Sequence, residues 1–321
     1  MMILDCRTQS IEHSEFVHLP DVLQQDSLLV LNNSRVIPAR LFGRRQTGAK
    51  LEILLVREKA PSVWQCRVKN SSKIKIGERL KLCDGNLQAE LLEKKDDGDC
   101  SLKFSYENDF YDLLESQGYA PIPPYIARTR SEEVPRKRDL AQYQTIYAKQ
   151  YGAIAAPTAG LHFTEEVLDR IAHKNIGIVE ITLHVGLGTF EPIRADNIEQ
   201  HRMHSERYLI SRKNAETIDD AIKQKRKIVA VGTTSARALE ASWKEGRIRP
   251  GNRSTDLFIY PPYRFRVVDL LLTNFHLPES TLLMLVSALA GRDFIMEAYR
   301  QAIREKYRFY SFGDCMLIDR S

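Results

Sequence analysis

The stretch Lys227-Ile-Val-Ala-Val-Gly-Thr-Thr-Ser-Ala-Arg-Ala-Leu-Glu-Ala-Ser-Trp-Lys244 decides the fold class. Ile228 to Val231 is apolar at every position, as in a strand covered on both faces rather than one with a side in water. Gly232 breaks it, and the hydroxyl residues Thr233, Thr234 and Ser235 lead into a helix predicted over 235–244. The same alternation continues outward. Upstream, the periodicity predicts helix 164–174, strand 177–185 and helix 214–224. Downstream it predicts strand 267–272 and helices 280–290 and 294–305. Strand and helix in alternation indicate an α/β layer with a substantially parallel sheet. An earlier apolar run, Leu28-Leu-Val-Leu31, followed by the turn-forming Asn32-Asn33-Ser34, adds a strand to that layer.

Between these parts the period changes from helix to strand. Short alternating segments are predicted as strands at 51–57, 63–69, 79–83, 87–93 and 101–106. Turn signals at Ala60-Pro61-Ser62, Asp84-Gly85-Asn86 and Asp96-Asp97-Gly98-Asp99 separate them. This is the pattern of a small antiparallel barrel, closed by a helix over 109–117 with Gly118 at its C-terminal cap. Pro121-Ile-Pro-Pro124 and the charged stretch Arg128 to Asp139 read as a linker. The expected architecture is α/β: a discontinuous α/β domain (1–41 and 121–321) with an inserted small antiparallel β-barrel domain (42–120).

Composition bounds the rest. In 321 residues, 47 Lys and Arg against 42 Asp and Glu leave a charge of +5, which permits an anionic partner without requiring one. With 43% hydrophobic and 28% charged residues, whole-chain disorder and fibrous repeats are excluded. The longest apolar stretch, Leu282 to Ala290, is well short of the ~20 residues that span a bilayer. Met-Met-Ile-Leu-Asp-Cys-Arg at the start carries no export signal. Five widely spaced cysteines suggest neither a disulfide framework nor a zinc knuckle, so a cytoplasmic location is expected.

Three strand ends could carry chemistry, because open α/β sheets bind ligands at the carboxyl ends of their strands. Gly232, Thr233, Thr234 and Ser235, with Arg237 nearby, form either an anion site at a helix N-terminus or a plain helix cap by Thr234 or Ser235. In Ile181-Thr-Leu-His-Val-Gly-Leu-Gly-Thr-Phe190, His184 is either a site base or a satisfied structural histidine. Gly186 and Gly188 there lack the third glycine of a dinucleotide fingerprint. Thr273, Asn274, Phe275 and His276 suit a purine pocket or an Asn turn with a buried Phe. Pro157, Thr158, Ala159, Gly160, His162 and Phe163 could edge a pocket, with Thr164 capping the following helix. His201, His204 and Glu206 resemble a metal set only by chance spacing, so no metal is expected. Arg35, Arg40, Arg44, Arg45 and Lys50 form either a solvated face or a phosphate-binding cluster.

Eight segments taken together are specific. They are Leu29-Val-Leu-Asn-Asn-Ser-Arg-Val-Ile-Pro-Ala-Arg-Leu41, Tyr143-Gln-Thr-Ile-Tyr147, Ala155-Ala-Pro-Thr-Ala-Gly-Leu-His-Phe163, Thr182-Leu-His-Val-Gly-Leu-Gly-Thr-Phe190, Met203-His-Ser-Glu206, Val231-Gly-Thr-Thr-Ser235, Thr273-Asn-Phe-His-Leu-Pro-Glu-Ser-Thr281 and Tyr307-Arg-Phe-Tyr-Ser-Phe-Gly-Asp314. In this order they closely resemble the S-adenosylmethionine:tRNA ribosyltransferase-isomerases of queuosine biosynthesis. The resemblance implies transfer and isomerisation of the ribosyl group of S-adenosylmethionine onto 7-aminomethyl-7-deazaguanine at the tRNA wobble position. Epoxyqueuosine forms, and adenine and methionine leave. It also implies an α/β domain with a β-barrel insertion. Family members carry a further N-terminal segment, an extended Leu-Pro stretch and an Arg-rich Ser-Arg-Leu stretch, before the point where this chain begins.

The implied chemistry needs a general base, since the sulfonium acidifies the adjacent ribose C5′ hydrogens, and a proton donor to adenine. His184, His276, His162 and Asp269 are the catalytic candidates, His184 foremost. Phe163, Phe190 and Phe275 are candidates for stacking on adenine or on the extruded base. The remaining substrate-binding candidates are Asn33, Arg35, Pro157, Thr158, Ala159, Gly160, Gly186, Gly188, Thr189, Gly232 to Ser235, Arg237, Thr273 and Asn274. Arg40, Arg44, Arg45 and Lys50 are the RNA-binding candidates. The expected partners are a tRNA carrying the deazaguanine and S-adenosylmethionine, which is consumed, so no cofactor is called for. A monomer with no membrane association is expected. The alternatives are a tRNA-binding protein that has lost catalysis with its N-terminal segment, and an S-adenosylmethionine-dependent RNA methyltransferase.

Overall fold

The computed structural model describes residues 1–95, 98–107, 109–123, 126, 133–186 and 198–320. The chain opens with β1 (Met2–Asp5), β2 (Ser10–His13), α1 (Leu19–Val22) and β3 (Leu28–Asn32). β4 (Ser34–Val36) precedes β5 (Arg40–Arg45), β6 (Lys50–Ala60), β7 (Val63–Val68), β8 (Arg79–Leu82), β9 (Leu87–Lys94) and β10 (Asp99–Ser105). After these come α2 (Phe110–Gln117), α3 (Glu133–Gln142) and β11 (Gln150–Ala153). The chain continues through α4 (Glu165–His173), β12 (Gly177–Leu183), β13 (Glu206–Ile210), α5 (Arg212–Lys223), β14 (Ile228–Val231) and α6 (Gly232–Ser242). It ends with β15 (Trp243–Lys244), β16 (Arg247–Ile248), β17 (Gly251–Thr255), β18 (Leu270–Asn274), α7 (Thr281–Ala290), α8 (Arg292–Arg304) and β19 (Cys315–Asp319).

The chain divides into two compact units. One comprises Met1–Ser34, Thr145–Gln150 and Ala156–Ser321, the other Arg35–Gln144 and Tyr151–Ala155. The inserted unit therefore extends beyond the 42–120 expected from sequence at both ends. Part of the expected linker is helix α3, so it is not a bare connection.

The first unit is a nine-stranded sheet in the order β17-β13-β12-β3-β14-β18-β19-β1-β2. Its centre, β12-β3-β14-β18, is parallel, as the all-apolar runs predict, and every residue of β3, β14 and β18 is buried. The flanks are not: β13, β17 and β2 pair antiparallel, and β19 pairs antiparallel with β18 but parallel with β1. The sheet is thus mixed. β17, Gly-Asn-Arg-Ser-Thr, has no apolar residue because it is an edge strand with only Thr255 buried, so its sequence gives no strand signal.

The second unit holds a closed barrel in the order β10-β7-β6-β5-β8-β9. Inward residues alternate, with Trp64, Cys66 and Val68 of β7 and Leu80 and Leu82 of β8 buried. Burial of each such aliphatic side chain is worth about 1.5–3 kcal/mol. Gly43 lets β5 close against β8, since a Cβ there would lie 2.2 Å from the Lys81 carbonyl oxygen. The Asp109 carboxylate caps α2 by accepting from the Tyr111 and Asp112 amides at 2.8 and 3.1 Å. Phe110 packs on Trp64, Phe104 and Tyr106, and Gly118 ends the helix with a bond to the Leu114 carbonyl.

Candidate active site

The parallel strands β12, β3, β14 and β18 end at one edge of the sheet, at Leu183, Asn32, Val231 and Asn274. That edge delivers His184, the Gly232 turn and the Phe275-His276 pair. β12 and β18 are three strand positions apart, so His184 and His276 stand ~14 Å apart along it.

Asn32 knits the edge together. It is the last residue of β3 rather than part of a turn, and it is fully buried. Its Nδ2 donates to the Leu183 carbonyl (3.0 Å) and to Thr234 Oγ1 (3.2 Å), while its Oδ1 accepts from the Leu183 and Ser34 amides (2.9 and 3.2 Å). Asn33 donates to Glu180 and accepts from Thr182 Oγ1, so its amide group is engaged with protein. Sequence reasoning missed Asn32. The available signal was a polar residue closing an apolar run, where burial demands that every donor and acceptor be met.

Helix α6 begins at Gly232, whose φ of +85° glycine adopts without strain. Its N-cap is Val231 and no side chain caps it, so capping by Thr234 or Ser235 is overturned. Thr234 Oγ1 instead serves Asn32, and Ser235 Oγ is fully buried with no partner among the described residues. Among the described residues, the first-turn amides of this eleven-residue helix thus have no side-chain acceptor at the carboxyl edge. The 3-10 helix Thr158–His162, with Pro157 at its N-cap, lies beside this turn: a Cβ on Gly232 would be 3.9 Å from that of Ala159. Gly160 there is a packing residue, since a Cβ would come within 2.0 Å of Tyr147 Oη.

Arg237 was expected to meet a substrate anion. It is instead buried and ion-paired with Glu206 of β13, and its Nε donates to the Leu257 carbonyl at 3.1 Å. Nη2 has no partner. Glu206 also accepts from the Gly186 amide at 3.1 Å, so α6 is tied to the turn that follows His184. Glu206 therefore has a charge partner that its metal-like spacing did not suggest. Among the described residues no cluster of His, Cys, Asp or Glu is arranged to hold a metal.

The histidines differ. The His184 amide bonds the Arg207 carbonyl (3.0 Å), its Nδ1 is buried with no hydrogen-bond partner among the described residues, and burial, then the Arg207 charge, lower its pKa. His162 stacks on Phe16 at 5.2 Å and accepts from Asn274 Nδ2 at 3.4 Å. Burial pushes its pKa down to about 4, against an upward pull from Asp314. His276 is more deeply buried and held by Thr273 Oγ1 at 2.9 Å, with a pKa lowered to about 3 by burial. Asp269 is not with them. It precedes β18, accepts from the Ile228 amide at the start of β14 (2.9 Å) and lies 3.7 Å from Arg320, at the opposite edge of the sheet.

Phe275 and Phe163 are core residues rather than stacking platforms. Phe275 is wholly buried among Tyr299, Tyr307 and Phe309, and Phe163 packs on Phe16 and Tyr147. Gly188, Thr189 and Phe190 lie outside the described residues. Asn274 donates to the Tyr310 carbonyl, and its buried Oδ1 has no donor among the described residues.

In the barrel-bearing unit, the basic cluster is partly neutralised. Arg40 pairs with Glu52 at 2.6 Å and Arg45 grips Glu78 through two bonds of 2.7 and 2.8 Å. Arg35 lies over the Tyr151 ring, 3.8 Å from Glu115. Arg44 bonds only the Gly48 carbonyl, and Lys50 is exposed.

Residues 1–318 match the family model described as "Queuosine biosynthesis protein". The chain is 49% identical over 320 residues to the S-adenosylmethionine:tRNA ribosyltransferase-isomerase of Desulfitobacterium hafniense, covering 99% of this chain and 92% of that protein. It is 47% identical to the enzyme of the same name from Fusobacterium nucleatum subsp. nucleatum, covering 99% and 89%. Among solved structures, that of S-adenosylmethionine tRNA ribosyltransferase from Thermotoga maritima is similar at 37% identity and a TM-score of 0.53, covering 99% of this chain and 91% of that one.

Proposed function

The chain belongs to the queuosine biosynthesis family of S-adenosylmethionine:tRNA ribosyltransferase-isomerases, and from that premise we propose how its residues carry the reaction. The ribosyl group of S-adenosylmethionine passes to the aminomethyl nitrogen of 7-aminomethyl-7-deazaguanine at the first anticodon position of tRNA. Epoxyqueuosine is formed, and adenine and methionine are released. The observation that carries this reading is near-half identity along almost the whole chain to two enzymes of that name. It favours neither a methyltransferase nor a binding protein without catalysis.

The sulfonium makes the ribose C5′ hydrogens acidic, so the required base need only be close and unprotonated. His184 Nδ1 fits: burial favours the neutral imidazole, and no group among the described residues bonds that nitrogen. It takes the C5′ proton, the sugar opens at the C4′–O4′ bond, and adenine departs from C1′ with its bonding pair and takes up a proton from water. The aminomethyl nitrogen then adds at C4′ and gives up a proton, the carbanion this leaves at C5′ closes onto C1′, and the C1′ oxygen displaces methionine from C5′ to form the epoxide. His162, also neutral, holds adenine by a hydrogen bond rather than supplying a proton from a standing imidazolium. Asn274 Oδ1, lacking a donor, accepts from the exocyclic amine of adenine. The open first-turn amides of α6, with Thr233 and Ser235, receive the methionine carboxylate. Thr158, Gly186 and Thr273 line the same edge, while His276 supports it from within through Thr273.

S-adenosylmethionine supplies the activation and is consumed, so the reaction calls on no cofactor. The reading puts one chain, acting alone, in the cytoplasm, where both substrates occur. Tritium-labelled adenine in S-adenosylmethionine tests it. Release of free adenine should require tRNA bearing the deazaguanine, whereas adenine retained in S-adenosylhomocysteine would indicate methyl transfer.

A further inference from the structure

A groove of about 410 Å³ opens on the α/β unit between α5 and the β16-β17 segment. Arg212, Glu216 and Asp219 line one wall from a single face of α5, and Arg247, Arg249 and Arg253 line the other. Guanidinium groups outnumber carboxylates, and one of the two carboxylates is already used: Asp219 accepts from the Ile248 amide at 2.7 Å. Arg249 pairs with Glu245, and Arg253 Nε donates to the Pro250 carbonyl, its one side-chain bond among the described residues. The Arg212 and Arg247 side chains are exposed and make no hydrogen bond or ion pair among the described residues. Planar forks of this kind suit phosphate oxygens.

The register fixes where the groove lies. Arg253 sits opposite Tyr208 in the β13-β17 pair, and Tyr208 sits opposite Leu183 in the β12-β13 pair. Arg253 is therefore two strand positions, ~10 Å, from the residue that precedes His184. β17 ends the sheet, so among the described residues no strand pairs with its outer side.

We propose that this arginine groove seats the tRNA backbone beside the nucleotide being modified, its guanidinium groups holding phosphodiester oxygens while the base reaches the His184 edge. The proposal rests on the reaction read above. It also shifts phosphate contacts away from Arg40 and Arg45, whose charges are met by carboxylates.

The test is tRNA binding by Arg247→Glu/Arg253→Glu, with Arg247→Gln/Arg253→Gln as a milder pair and Arg292→Glu, an exposed charge on α8, as the control. Affinity for tRNA should fall at least tenfold in the Glu pair and less in the Gln pair. The slope of log affinity against log salt should flatten by about 1.5 in both, since each lost phosphate contact removes ~0.7–0.9. The Michaelis constant for S-adenosylmethionine should not move, and the control should match wild type. Unchanged affinity and slope in both pairs would overturn the proposal. Wild type that binds tRNA through these arginines yet releases no adenine would instead overturn the reaction and leave the groove standing.

Discussion

Arg237 of α6 and Glu206 of β13 form an ion pair with both side chains almost fully buried, and Glu206 passes the connection on to the Gly186 amide. A charge pair of this kind is dear to break, because removing one partner strands the other in a poor solvent. Arg237→Ala and Glu206→Ala should each lower unfolding stability by about 3–5 kcal/mol. The paired change Arg237→Met/Glu206→Leu should lose much less. Urea denaturation of the three variants checks this, and additive losses in the double variant would show the two residues to be energetically independent.

His184→Ala should slow turnover by about 10²–10⁴-fold, the usual contribution of a positioned base, with S-adenosylmethionine affinity little changed. Exchange of C5′ hydrogens with deuterated solvent, where wild type shows it, should cease. A variant that binds poorly but turns over normally at saturation would make His184 a binding residue.

Asn32→Leu removes the donor that joins Leu183 to Thr234 and the acceptor that serves the Leu183 and Ser34 amides. Each buried group left unmet costs about 1–3 kcal/mol. The variant should therefore unfold well below wild type, and activity should fall with it because three strand ends lose their common brace. Differential scanning calorimetry alongside adenine release would read both effects.

Burial depresses the pKa of His162 to about 4 and that of His276 to about 3. In the unfolded chain both return to ~6.5, so below that pH the unfolded state binds more protons and stability must fall as pH drops. The contribution is complete above ~6.5 and is lost progressively towards the folded values, by about 2 kcal/mol per histidine at pH 5. Chemical denaturation at pH 7 and pH 5 should show the loss, and His162→Gln should shrink it. A pH-independent difference would refute the assignment.

The central strands and most helices were legible because their apolar patterns are strong. Leu28 to Leu31 and Ile228 to Val231 could be little else than buried parallel strands. The flanking strands were not, since β17 carries no apolar residue and β1 and β19 pair only through the meeting of distant chain ends. At the candidate site, sequence placed His184, Gly232 and Asn274 at strand ends, and all three lie at the carboxyl edge of the parallel strands. It misjudged Asp269 because both ends of β18 carry polar residues and spacing does not say which end faces ligand. Phe275 and Arg237 were misread for a related reason: their partners, Tyr299 and Glu206, are remote in sequence.

The most direct measurement follows the ribose itself. S-adenosylmethionine labelled in the ribose, and in parallel in the methyl group, is incubated with the protein and tRNA carrying 7-aminomethyl-7-deazaguanine, and the tRNA is digested to nucleosides. Ribose label should enter a modified nucleoside in equal amount to the adenine released, with no methyl label retained. Methyl label in the tRNA, or tRNA binding with neither label transferred, would contradict the ribosyl-transfer reaction.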